Sequence, residues 1–216
     1  MSKLFYYPSC KFIARFPEAG TKIKSYLAGR YEPKGCCRAD LASITSDDTI
    51  VYICNSCAAF FEERTLAREV VSIWELIAND KNFPFPKHEN KRMSVQDCWR
   101  TYDNATLQNA VRKILSVMNI EVVEQKSNRE KTKFCGKSLY EPLPKGYEAL
   151  APKRLVKNAQ GLFVSHTEEE KALLMKEHCQ AIETDDVVCY CLACMNGINV
   201  GGKAGIHLAE LVFEAV

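Results

Sequence analysis

Thr49-Ile50-Val51-Tyr52-Ile53-Cys54-Asn55-Ser56-Cys57-Ala58-Ala59-Phe60-Phe61-Glu62-Glu63 carries the reading on which the fold turns. Its first five residues form an apolar, largely β-branched run, the pattern of a buried strand. After Cys57 the pattern turns helical. The Cys-x-x-Cys therefore lies at a strand-to-helix junction. There two thiols share one turn, and the helix N-terminus favours the thiolate that a metal requires. Asp186-Val187-Val188-Cys189-Tyr190 running into Cys191-Leu192-Ala193-Cys194 repeats the arrangement near the other end of the chain.

Working outward, the first half starts with a strand from Lys3 to Tyr7, followed by Pro8-Ser9-Cys10. A helix is expected over Glu18 to Leu27 with Gly29 as its C-cap, then Gly35-Cys36-Cys37. Val70 to Ile77 closes this half, and residues 82–92, with Pro84 and Pro86, read as a linker. The second half repeats the order. Met93 to Asp97 is a short strand leading to Cys98, Ala105 to Met118 an amphipathic helix, and Ile120 to Glu124 a strand. Phe134-Cys135-Gly136 takes the place of the earlier cysteine pair. Thr167 caps a helix whose first turn holds Glu168, Glu169 and Glu170. The ending Ile206-His207-Leu208-Ala209-Glu210-Leu211 echoes Ser72 to Ile77, Glu-Leu included. The spacers are unequal, with 25 residues between Cys10 and Cys36 but 36 between Cys98 and Cys135. Strands alternating with helices predict an α/β fold: two pseudo-repeated modules with mostly parallel sheets flanked by helices. The modules are expected at 1–81 and 93–216, the second with an irregular insertion around 139–165.

Composition narrows the function classes. The 216 residues carry 29 Lys plus Arg against 27 Asp plus Glu, a net charge of +2. That balance gives no basic field to attract nucleic acid or an anionic membrane. No apolar run approaches the ~20 residues of a membrane span, and the N-terminus does not read as a signal peptide. A cytoplasmic protein is expected. Eleven cysteines cannot all pair within one chain, so a disulfide framework is not expected; clustered pairs in a cytosolic chain point to metal or redox chemistry. Cys179 and Cys189 read as core residues.

The order of a lone cysteine, a spacer, Cys-Cys-Gly, a spacer and Cys-x-x-Cys, present twice, resembles the cysteine-rich CCG-domain family. That family includes the B subunit of heterodisulfide reductase, and the likeness runs nearly the whole chain. Asp97-Cys98, the helix after it, Val122-Val123-Glu124, Asn128-Arg129-Glu130 and Phe134-Cys135-Gly136 carry it most clearly. The resemblance implies that Cys10, Cys36, Cys37, Cys54 and Cys57 hold a 4Fe-4S cluster, of noncubane type in that relative, which transfers electrons and cleaves a disulfide. It leaves Cys98, Cys135, Cys191 and Cys194 for the second module. Four thiolates suit a 4Fe-4S cluster or a structural tetrahedral Zn2+. Two departures stand out: Arg38 replaces the first glycine, and Phe134 replaces one cysteine of the second pair.

On this reading the chain is an iron–sulfur oxidoreductase subunit, partnered by other redox subunits or electron-transfer proteins. The alternative is a non-catalytic zinc-binding assembly module. A metal-free thiol–disulfide enzyme, using reactive Cys54 or Cys57, is the third reading. His88, His166, His178 and His207 are expected in surface, capping or packing roles. The basic loop of Lys126, Arg129, Lys131 and Lys133 is expected to be a solvated face. Gly197, Gly201, Gly202 and Gly205 form no dinucleotide fingerprint.

Overall fold

A computed structural model describes residues 3–39 and 41–213. The chain begins β1 (Leu4–Tyr7), α1 (Cys10–Arg15), α2 (Pro17–Leu27), β2 (Glu32–Pro33), β3 (Thr49–Tyr52), α3 (Asn55–Arg64), β4 (Glu69–Ser72) and α4 (Ile73–Asn79). It continues β5 (Lys91–Gln96), α5 (Ala105–Val117), β6 (Ile120–Val123) and α6 (Tyr147–Leu150). Last come α7 (Glu168–Gln180), β7 (Asp186–Cys189), α8 (Leu192–Val200), β8 (Ala204–His207) and α9 (Leu208–Phe213). Two compact units result, one taking the chain up to Leu76 with Pro144–Gln160, the other Ile77–Leu143 and the chain from Gly161.

Each unit is built on its own four-stranded, all-parallel sheet. The orders are β2-β1-β3-β4 and β6-β5-β7-β8. Numbered within its own half, each sheet thus reads second, first, third, fourth. The pseudo-repeat expected from the sequence is a repeat of topology. In both sheets the chain leaves the first strand to one side for the second strand and to the other side for the third. That makes a topological switch point, and the crevice outside the strands' carboxyl ends there is where such folds place ligands.

Burial explains the strand reading. β3 has a neighbour on both edges and is buried along its whole length, which is why Thr49 to Tyr52 is nearly all apolar. In α5, Asn104 accepts the Leu107 N–H at 2.9 Å, and Leu107, Val111, Ile114 and Leu115 turn inward. Thr167 and Glu170 form a capping box on α7. The sequence reading contained neither α1 nor the two-residue β2. Pro17 divides α1 from α2, because a proline at a helix start has no N–H to continue the preceding helix.

The echo between the ends of the two halves has a local cause. Glu75 accepts the Ser72 N–H at 2.7 Å while Ser72 Oγ accepts the Trp74 N–H at 3.3 Å. Glu210 accepts the His207 N–H at 2.7 Å while His207 Nδ1 accepts the Ala209 N–H at 3.2 Å. Each fourth strand thus passes into a helix whose first amides are capped reciprocally. Within the first unit, Pro144–Gln160 packs on α3. Tyr147 meets Phe60 edge-on at 5.0 Å, and the Lys153 and Arg154 N–H groups donate to the Glu63 carboxylate at 2.7 Å each. Among the described residues no helix is long and apolar enough to cross a membrane.

Candidate metal centre

The second unit gathers its cysteines at the switch point. Cys98 follows β5 and Cys191 follows β7, the two strands that flank it, while Cys135 comes from the loop after β6 and Cys194 from the first turn of α8. Their four Sγ atoms all lie within 4.8 Å of one another. Cys98 Sγ and Cys135 Sγ are 3.5 Å apart, Cys135 Sγ and Cys191 Sγ 4.0 Å. Cys98, Cys135 and Cys194 are buried and Cys191 half-buried. Among the described residues this is the group of cysteine, histidine and carboxylate side chains arranged to hold a metal ion.

Two glycines make the approach of Cys135 geometrically possible. Gly136 has φ +59°, and a Cβ there would stand 1.9 Å from the Ala193 carbonyl oxygen. A Cβ on Gly197, one turn further along α8, would stand 2.5 Å from Gly136 Cα and 2.9 Å from the Phe134 ring. Backbone therefore lies directly on backbone, bringing Cys135 down to Cys191 and Cys194. This is the close-approach role of Gly197, which carries no phosphate-binding signature.

The surroundings favour one thiolate, on Cys135. Hydrogen bonds from Cys191, Cys194 and Cys98 hold the Cys135 thiol well below its usual range against its burial, with Arg100 assisting. Sharing protons with Cys135 pushes Cys191 far up, and burial does the same to Cys194. Cys135 thus ionises first, and a cation entering the group would displace the remaining protons. The Arg100 guanidinium is buried beside these sulfurs. Desolvation works against its charge, but Cys135, Cys98 and Cys191 outweigh it. Its Nη2 donates to Ser138 Oγ at 3.2 Å and Ser138 donates to the Cys135 carbonyl at 2.7 Å, while Nη1 is buried with no hydrogen-bond partner among the described residues. A positive charge here would offset the negative charge of the four cysteines as thiolates.

Cys98 is held from behind. Its N–H donates to the Tyr190 hydroxyl at 3.2 Å, which donates to Asp97 Oδ1 at 3.0 Å. Buried Asp97 also receives both terminal nitrogens of Arg112, at 2.9 and 2.7 Å, and the Arg129 N–H at 2.7 Å. Arg129 thus belongs to this network, whereas Lys126, Lys131 and Lys133 are exposed. Arg100, Ser138, Tyr190 and the role of Asp97 had no sequence signal beyond adjacency to the cysteines.

Phe134, standing where a paired cysteine would be, stacks on His178 with ring centroids 3.8 Å apart. His178 Nε2 also reaches Gln96 Oε1 at 2.6 Å. Burial lowers the His178 pKa to about 4, so the imidazole is neutral near pH 7. Of the surface, capping or packing roles expected for the histidines, His178 thus takes packing. Cys179 and Cys189 are buried outside the four-sulfur group, and His207 caps α9.

The first unit treats its cysteines differently. Cys37, Cys54 and Cys57 pack together, with Cys57 Sγ 2.7 Å from Cys37 Sγ and hydrogen-bonded to Cys54 as well. The bond from Cys57 lowers Cys37, while the bonds to Cys37 and Cys54 push Cys57 far up. Cys10 is exposed at the first residue of α1; Cys36 is exposed and hydrogen-bonded to Arg38. Among the described residues the group arranged to hold a metal ion does not include these five. Compared with known proteins, the chain matches no family model, no curated protein and no solved structure.

Proposed function

We propose that this chain is a metal-thiolate component of an oxidoreductase system, similar to the B subunit of heterodisulfide reductase. Its ion is one tetrahedral Zn2+ held by Cys98, Cys135, Cys191 and Cys194. The observation that carries the metal is the convergence of four sulfurs within 4.8 Å from three separate stretches of the chain. A single zinc with bonds of about 2.3 Å sets its thiolates about 3.8 Å apart. The separations of 3.5 and 4.0 Å bracket that value. With all four positions filled by protein, such an ion is structural: it ties three loops and a helix start to the sheet edge. The redox assignment rests on the two-module order of strands and cysteines and on the family resemblance.

A second reading places a 4Fe-4S cluster on the same four residues, giving an electron-transfer centre. Cysteine order and the carboxyl-edge location support it equally. The sulfur spacing supports it less, because each thiolate would bind a different corner iron and spread wider than around one ion. Zinc, iron and acid-labile sulfide per chain, measured on protein purified without oxygen, decide between them. One zinc without sulfide is expected. Four irons with matching sulfide would replace the zinc reading, and protein without metal would overturn both.

A further inference from the structure

Arg100 touches more than the sulfurs. Its guanidinium stands 5.4 Å from the centre of the half-buried Phe163 ring, and that ring meets Trp99 edge-on at 5.8 Å. Phe163 takes φ +61°, a left-handed backbone that a bulky residue keeps only when its surroundings fix it. The Phe163 N–H donates to the Leu139 carbonyl at 2.7 Å, and the His166 N–H to the Tyr140 carbonyl at 3.2 Å. Residues 161–166 thus form a strap fastened at two places, on the Arg100 guanidinium and on the end of the turn Gly136–Leu139. Both anchors also serve the four sulfurs. Arg100 is buried beside Cys135, Cys98 and Cys191, and the turn follows Cys135 directly. Ser138 joins the two, with its hydroxyl 3.2 Å from Arg100 Nη2 and 3.6 Å from the Cys135 sulfur.

We propose that Arg100 and Phe163 latch this strap to the metal centre, so that metal binding and strap closure stabilise each other. An ion on Cys135 fixes the turn behind it, and the thiolates formed around the ion hold the guanidinium against the Phe163 ring. With both anchors in place, the strap keeps its strained residue. Without the ion the anchors loosen, and Phe163 relaxes to ordinary backbone. The coupling is reciprocal: closure strengthens ion binding by the factor by which the ion strengthens closure. The loading of a buried site is thereby reported at the surface, where Val164 of the strap is 54% exposed.

The latch rests on the metal reading of the same four cysteines, so zinc uptake and strap exchange are measured on the same samples. Amide hydrogen exchange of the full chain, metal-free and loaded with zinc alone, reads the Phe163 and His166 N–H groups. Both are expected to exchange at least about tenfold faster without zinc, while the Ile114 and Leu115 amides of α5 keep their rates. Phe163→Ala should make the strap exchange fast in both states and lower zinc affinity about tenfold in chelator competition. Arg100→Met should lower it about 10- to 100-fold, and Arg100→Lys, which keeps the charge without the planar face, should recover part. Zinc bound with the strap exchanging alike in both states would overturn the latch and leave the metal reading intact. So would acceleration that reaches α5 equally, since the whole unit would then be loosening, or unchanged zinc affinity in Phe163→Ala. A chain that takes up no zinc would overturn the metal reading itself, and the latch with it.

Discussion

The two modules share strand order, the junction Cys-x-x-Cys and the capped final helix, yet among the described residues only the second closes four sulfurs on one point. The difference lies in what the third loop meets. In the second module Gly136 follows its cysteine, and three residues past Cys194 the helix presents Gly197, so backbone seats on backbone. In the first module Arg38 follows the cysteine pair, and three residues past Cys57 the helix presents Phe60, buried and in contact with Tyr147. Without the glycine seat, Cys36 and Arg38 face solvent. Thiols at the right places along the chain do not by themselves bring four sulfurs together on this frame; room for the loop does.

The sharpest way to break this comparison is to give the second module the first module's residue. Gly197→Phe puts a ring where even a Cβ would lie 2.5 Å from Gly136 Cα. Because the displaced loop carries Cys135, metal per chain is expected to fall from about one to near none. Elemental analysis after gel filtration checks it, and circular dichroism shows whether the sheets persist. Gly136→Ala should act alike, through the Ala193 oxygen. The converse change, Arg38→Gly, should not recruit metal to the first module, because Phe60 still fills the helix face. Metal retained by Gly197→Phe would show that the glycine seat is incidental.

Much of this was legible in the sequence. Periodicity located β3, α5 and the strand before Cys191, since each has one dominant environment and its composition shows it. The four cysteines now close together stood out by spacing. What stayed hidden depends on relations between distant residues. Nothing local distinguishes Gly197, which is needed for Gly136, from its neighbours Gly201 and Gly202. Arg100 is one of many basic residues until the fold buries it against Cys135. The neutral state of His178 comes from its burial, in which it stacks on a ring 44 positions away in the chain, Phe134. Likewise Cys10 and Cys36 fit a motif in one dimension, and only the structure shows that both are exposed.

Asp97 offers the next largest effect, again within the second module alone. It precedes Cys98 as Ser9 precedes Cys10, but Ser9 cannot take two nitrogens of an arginine. Asp97→Asn leaves the Arg112 guanidinium, only 10% exposed, facing a neutral amide. About 3 kcal/mol of stability should be lost, because Arg112 loses its buried carboxylate and keeps only the more exposed Glu124, at 2.6 and 2.8 Å. Denaturant unfolding of metal-loaded protein at neutral pH measures it, and a change under about 1 kcal/mol would show that Glu124 alone suffices for Arg112.

Acid should separate the modules next, since all four histidines lie at or beyond residue 88. His178 is held neutral, its pKa about 4 in the folded chain against about 6.5 unfolded. Between these values the unfolded state binds more protons, so stability is complete above pH ~6.5 and falls as pH drops towards ~4. The loss approaches about 3 kcal/mol. The unfolding free energy of the wild type minus that of His178→Gln should shrink by that amount from pH 7 to pH 4. Thiolate protonation and His207 occur in both proteins and cancel. A pH-independent difference would mean that His178 titrates normally.

The smallest test asks whether the echoed Glu-Leu ending is a shared device or a coincidence. Ser72 Oγ accepts one amide of α4 while Glu75 accepts the Ser72 N–H, and His207 with Glu210 does the same for α9. Ser72→Ala removes one acceptor from a buried helix start and should cost about 1 kcal/mol, as lost N-caps do. In the Glu75→Ala background the same change should cost less, because the reciprocal pair acts as one unit and its two bonds order the same turn. Thermal unfolding of the four proteins gives the coupling. Strict additivity would mean that the two bonds are independent and that the likeness between the chain's two halves ends at the strands.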